Sequence, residues 1–172
     1  MRIFHVSEEA NISVFHPRLP TRDDLDPNVG LIWAIDEQRL PNFLTPRNCP
    51  RVTYHINEQS RVEDIERFFS GGYRHVVAIE QGWFETMKKT RLYLYEFDPA
   101  AFELQDAIAG YYVAKTTQRP IAVHAVHDLF AALFQQKVEL RVVDDLWPLA
   151  DQIQKSSLPF SFCRMTYAQP RK

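Results

Sequence analysis

The order in which strand-like and helix-like periods follow one another constrains this chain most. Stretches that alternate every second residue, or are short enough to be strands buried on both faces, fall at 3–7, 31–35, 52–56, 75–79, 91–97, 121–126, 138–143 and 160–165. Helical spacing with recognisable start or stop signals occurs after Ser60, over 80–89, after Asp128 and after Asp144, with a shorter piece after Asp36. About eight strands and four or five helices without a regular βαβ alternation argue for an α+β protein, not a doubly wound sheet. Few tight hairpin signals separate the strands. A split, mostly antiparallel sheet core flanked by helices is therefore expected. At 172 residues the chain fits one domain, 1–172, able to bury roughly two thirds of its unfolded surface.

Several local signals sharpen this outline. Ser60-Arg61-Val62-Glu63 has the form of a capping box, opening a helix with Val62, Ile65, Phe68 and Phe69 inward and Gly71-Gly72 at its end. Asp36 can cap a short helix that Pro41 stops, and Asp128 caps another that carries Leu129, Phe130, Leu133 and Phe134. Asp98-Pro99 starts a single turn anchored by Phe102. Pro17, Pro20, Asp23, Asp24, Asp26, Pro27, Asn28 and Gly30 mark a long polar loop, and Tyr111-Tyr112-Val113 leads into another over 114–119.

Composition excludes several classes of function. The net charge of -2, without a run of Lys and Arg, does not suit duplex DNA as the main partner. Five glycines leave no Gly-rich phosphate loop or dinucleotide fingerprint, so a nucleotide would have to be held by side chains and strand edges. Cys49 and Cys163 stand far apart without ligand spacing, which suggests neither a disulfide framework nor a zinc site. His124 and His127 straddle a strand end and a helix start with no carboxylate or thiolate at ligand spacing, so no metal is expected. No apolar run approaches a membrane span and the start lacks a signal-peptide pattern, which makes the cytoplasm the default location.

The candidate site begins at the first strand. Alternation over Ile3-Phe4-His5-Val6-Ser7 separates Phe4 and Val6 from Ile3, His5 and Ser7. Phe4 and Val6 suit a core, whereas buried His5 and Ser7 need hydrogen-bond partners, since an unpartnered polar group costs roughly 1–3 kcal/mol. The strand is either one wall of a nucleotide cleft or an ordinary first strand with a satisfied histidine. Arg18, Arg47, Arg51 and Arg164 are the cations available to clamp a phosphate or carboxylate, with surface ion pairing as the plainer alternative. Glu80, directly after a strand, is a candidate general acid or base, or a carboxylate facing a helix dipole.

Two resemblances add to this. Nearly the whole chain resembles a family of bacterial proteins of similar length without an established activity. The resemblance rests on FHVSEEANISVFHPR, WAIDEQRLPNFLTPRNCPRVTY, GYYVAKTTQRPI and FSFCRMTYAQPR. More distantly, Phe4-His5-Val6-Ser7, Trp33-Ala34-Ile35, Tyr93 to Pro99, Tyr111-Tyr112-Val113 and Pro120-Ile121-Ala122-Val123 resemble, in this order, segments of the ADP-ribosyltransferase fold and its RNA 2′-phosphotransferase relatives. That resemblance implies NAD or a phosphorylated nucleic-acid end as ligand. His5 would bond a ribose, Ser7 would lie near the nicotinamide ribose, and Trp33, Tyr111 or Tyr112 would stack on a ring. Arg47 or Arg51 is expected at the mouth of the pocket. The glutamate that such enzymes use falls near Tyr111, where this chain has no acid. The departure favours a binding domain over a transferase, unless Glu8, Glu9 or Glu80 supplies the carboxylate.

Overall fold

The computed structural model describes residues 1–20 and 24–171. Asp23, one of the residues expected in the polar loop, lies outside the described residues. Within them the elements run β1 (Ile3–Ser7), β2 (Ile32–Asp36), β3 (Arg51–His55), α1 (Val62–Phe68), β4 (His75–Glu80), α2 (Phe84–Lys89), β5 (Leu92–Phe97), β6 (Glu103–Asp106), β7 (Tyr111–Ala114), β8 (Ala122–Val126), α3 (Leu129–Gln135), β9 (Glu139–Val143), α4 (Trp147–Ile153) and β10 (Phe160–Cys163). The protein is α+β and mostly antiparallel. The chain divides into two compact units, Met1–Leu40 with Arg91–Val126, and Pro41–Thr90 with His127–Lys172.

The first unit holds a six-stranded sheet in the order β6-β7-β2-β1-β5-β8, every neighbouring pair antiparallel. β1 lies inside it, with Ile3 to Ser7 opposite Phe97 to Tyr93 of β5, and Ile3 and Phe4 opposite Asp36 and Ile35 of β2. One face buries Ile3, Ile32, Ala34, Tyr95, Phe97, Phe102 and Ala114. Asp98 accepts from the Ala100 amide at 3.0 Å and Phe102 is buried behind the 3₁₀ turn it follows, as the sequence predicts.

The second unit holds a four-stranded sheet, β10-β3-β4-β9, in which β4 and β9 run parallel and the other pairs antiparallel. β4 is an inner strand buried from Val76 through Glu80, which agrees with its nearly continuous apolar sequence. Val52, Tyr54, Val76 and Ala78 on one face join Phe68 of α1, Leu146 just before α4, and Ala150 and Ile153 of α4 in a core. All four α-helices among the described residues belong to this unit.

Helix α1 departs from its sequence signals. Its N-cap is Arg61, with no side-chain cap, while the Ser60 hydroxyl bonds Asn57. Ser157 does the capping from 96 positions away: its hydroxyl accepts from the Arg61 amide at 2.8 Å, and its amide and hydroxyl donate to Asp64 at 2.8 and 2.7 Å. The Ser157 bonds, with Arg61, hold the Asp64 carboxyl below the usual carboxylate range. Val62, expected inward, is 64% exposed, and the buried helix positions are Asp64 and Phe68. Gly71 and Gly72 take positive φ values in the turn beyond, and do not end the helix itself. Pro41 likewise does not end a helix; it is the second residue of a 3₁₀ turn, Leu40–Phe43, while Asp36 caps only the tight turn to the Arg39 amide. β6 and β7 carry strands where a turn and a loop approach were expected. β6 is an edge strand with an exposed, polar sequence, which hides its period.

Ser157→Ala is expected to lower the thermal unfolding midpoint by several degrees, because it removes the hydroxyl that accepts from the Arg61 amide and donates to Asp64. Ser60→Ala should have the smaller effect, read by calorimetry on both variants. The reverse ranking would restore the capping box.

Candidate functional site

Of the expected site residues, His5, Ser7, Arg18, Trp33, Tyr111 and Tyr112 belong to the first unit, and Arg47 and Arg51 to the second. Five of the six lie on the adjacent strands β1, β2 and β7. Register sorts them by face. Ile3, His5 and Ser7 share a face with Tyr95, Ala34 and Tyr112, while Trp33 and Tyr111 point to the other with Phe4 and Ile35. Two faces of one sheet, not one concave wall, carry the set.

The polar groups of β1, His5 and Ser7, are half-buried and have partners. His5 Nδ1 lies 2.9 Å from the Trp33 carbonyl oxygen, to which it donates. The ring meets Phe15 edge-on at 5.0 Å, and Phe15 also meets Tyr95 and Phe97. The Tyr95 hydroxyl donates to the Glu9 carbonyl at 2.7 Å and accepts from the Ile12 amide at 3.0 Å. Phe15 pairs through its backbone with Gln118. Residues 9–15 are thereby laid across the His5 face. Ser7 accepts from the Glu9 amide at 3.0 Å and sets the turn that leaves the strand.

On the opposite face Trp33 and Tyr111 meet at 5.3 Å with an interplanar angle of 82°, both half-buried. Tyr112 packs against the core of the first face. Arg18 is exposed, with its backbone paired to Leu31.

Arg47 is exposed in the second unit, whereas Arg51 is 4% exposed. Its Nε donates to the Asn42 carbonyl, its second nitrogen donates to the Cys49 carbonyl at 3.0 Å, and its guanidinium lies 5.0 Å from the centre of the Phe43 ring. These bonds fasten the loop before β3. Burial pushes the neighbouring Cys49 thiol up to about 12, so it stays protonated and is no nucleophile at neutral pH. Glu80 is equally committed within this unit: it accepts from the amides of Gln169 and Leu146, the latter preceding α4, and not from the helix that follows it in sequence. Among the described residues no group of three or more His, Cys, Asp and Glu is arranged to hold a metal ion. No helix among them is long and apolar enough to cross a membrane.

One cluster escaped the sequence reading. Arg2 grips Glu96 with two hydrogen bonds of 2.8 Å and reaches Glu37 at 2.9 Å, while His124 Nε2 lies 2.8 Å from Glu96 Oε2. The Arg2 guanidinium also covers the Phe4 ring at 4.8 Å. The signal was present in the alternation of Leu92, Leu94 and Glu96, which sets one acid at the end of an apolar stripe. The Arg2 hydrogen bonds, then His124, pull the Glu96 carboxyl down to about 2. A carboxylate so held is ionised at any physiological pH and is a poor proton donor.

The fold is thus an α+β pair of sheets, with the residues of interest gathered on an antiparallel one. A family model, "Family of unknown function (DUF6886)", matches residues 4–168, and the chain belongs to that family. No curated protein and no solved structure matches it.

Two predictions follow from the geometry. Arg51→Ala is expected to destabilise the fold by about 2 kcal/mol or more, since it strands two buried carbonyls, and urea unfolding measures this. Because the folded carboxyl of Glu96 titrates below its unfolded value, its contribution to stability is whole above the ordinary carboxylate range and is lost as pH falls through that range towards about 2. Arg2→Gln should therefore flatten the acid limb of the stability–pH curve, and an unchanged limb would show that the clamp contributes nothing.

Proposed function

We propose that the protein binds a nucleotide or another phosphate-bearing ligand on the sheet of the first unit, in the manner of an ADP-ribosyltransferase cleft, with NAD or ADP-ribose as the first candidates. One observation carries the reading. The five segments that resemble that fold are scattered from Phe4 to Val123, yet they coincide with strands β1, β2, β5, β7 and β8 of a single sheet, and two of its key residues, His5 and Trp33, are joined by a hydrogen bond.

The chemistry of each residue suits the role. His5, on the other face of the sheet, donates from Nδ1 to the Trp33 carbonyl and so holds the strand that carries the aromatic pair. The Trp33–Tyr111 pair offers aromatic surface for a base or nicotinamide ring. Arg18, exposed and on a backbone fixed to Leu31, is the cation we assign to a phosphate. Arg51 is not assigned to it, because two of its nitrogens already serve backbone carbonyls.

Turnover is expected to be slow. By the resemblance to ADP-ribosyltransferases the catalytic acid of such enzymes would fall near Tyr111, where this chain has none, and a missing preorganised charge at a developing cation costs about 3–4 kcal/mol. Calorimetric titration with NAD, ADP-ribose and a 5′-phosphorylated oligonucleotide tests the reading, beside an NAD-consumption assay. At least one ligand should bind, and Arg18→Ala and His5→Ala should weaken it by about tenfold, the equivalent of about 1.4 kcal/mol. No binding by any of the three would remove the nucleotide reading. Rapid NAD consumption would instead give the protein an enzyme's role, with Glu8 or Glu9, directly after Ser7, as the acid to vary first.

A further inference from the structure

The segment from Met165 to Arg171 is held in an unusual way. Arg164 takes a left-handed conformation (φ 57) and opens a 3₁₀ turn, Met165–Tyr167, after which the backbone of Gln169 is gripped on both sides by side chains. Its amide donates to both carboxylate oxygens of Glu80 at 3.1 Å, and its carbonyl accepts from the Trp147 indole at 2.8 Å. Two residues on, Arg171 lies 4.8 Å from the centre of the Trp147 ring and pairs with Asp151. Glu80 is 3% exposed, and its remaining protein donor is the Leu146 amide at a long 3.4 Å. The Gln169 amide is therefore the main donor that this buried carboxylate receives.

Every part of the grip reads something a peptide supplies: an amide N–H, a carbonyl, and a cation two residues later. No strand ladder joins the segment to the sheet, and Gln169, Pro170 and Arg171 are all exposed. A segment held by side chains alone, outside any strand ladder, can open locally without global unfolding. We propose that Glu80, Trp147 and Asp151 form a peptide-binding site, occupied in cis by residues 168–171 as a displaceable strap, which accepts in trans a short extended peptide carrying an arginine two residues after the clamped position. The site uses residues of the second unit only and does not depend on the nucleotide reading.

In cis the strap competes with any added peptide at a high effective concentration, so weakening the strap must strengthen capture. The probe is a fluorescently labelled peptide copying residues 166–171, followed by anisotropy against the full chain. Arg171→Ala removes the ring contact and the Asp151 pairing from the strap while leaving Glu80 and Trp147 intact. The peptide should bind the Arg171→Ala chain at least about tenfold more tightly than the unaltered chain. Adding Asp151→Ala to that variant should abolish the gain, and hydrogen exchange should find the Gln169 amide less protected in Arg171→Ala than in the unaltered chain. Equal affinity for the unaltered and Arg171→Ala chains, or no binding to either, overturns the proposal. A gain that survives Asp151→Ala is binding elsewhere and overturns it as well.

Discussion

Strand β1 is the constraint on which the first unit depends. Both of its edges are taken, by β5 along its full length and by β2 at Ile3 and Phe4. A strand in that position cannot slip by one residue without exchanging Phe4 and Val6 for Ile3, His5 and Ser7 on opposite faces. Fixed in this register, it turns an imidazole and a hydroxyl towards a largely apolar face, where each must find a partner. The Trp33 carbonyl and the Glu9 amide are those partners, and each ties a neighbouring stretch of chain to the strand. Tyr95, opposite His5, continues the scheme by bonding Glu9 and Ile12. The polar groups that looked like a liability in the first strand are what fasten residues 9–15 over the sheet.

The second unit uses polar residues in the same spirit. Arg51, Asp64 and Glu80 are buried, and each binds mainly backbone or hydroxyl groups rather than an opposite charge, apart from the Arg61 contact to Asp64. Arg51 holds the loop from Asn42 to Cys49, Asp64 joins α1 to the approach to β10, and Glu80 joins the end of β4 to α4 and Gln169. Buried groups of this kind stabilise because the alternative, an unpartnered charge or amide, is so costly. They also explain why the most prominent loop arginine of the sequence is a structural residue.

Elements whose signals are local were legible in the sequence. The alternation of β1 and β5, the continuous apolar run of β4, the Asp98-Pro99 turn and the Asp128 cap, which accepts from the Ala131 amide at 2.9 Å, all lie where their residues indicate. What failed depended on distant partners. Ser60 and Glu63 have the right spacing for a capping box, but Ser157 satisfies the helix start instead. β6 is polar because it is an edge, so its period carries no contrast between buried and exposed positions. Within the candidate site, the need of His5 for a partner could be read from alternation alone, whereas the identity of that partner could not. Neither could the clamp of Arg2 on Glu96, whose members are 94 positions apart.

The central claim is that the sheet of the first unit, around β1, β2 and β7, is where a nucleotide ligand acts on this protein. Mapping backbone amide and indole resonances by NMR during titration with ADP-ribose tests it most directly. Perturbations should gather on Arg18, Trp33, Tyr111 and their strand neighbours, with the Trp33 indole among the largest. Perturbations confined to residues of the second unit, or none at saturating ligand, would contradict it.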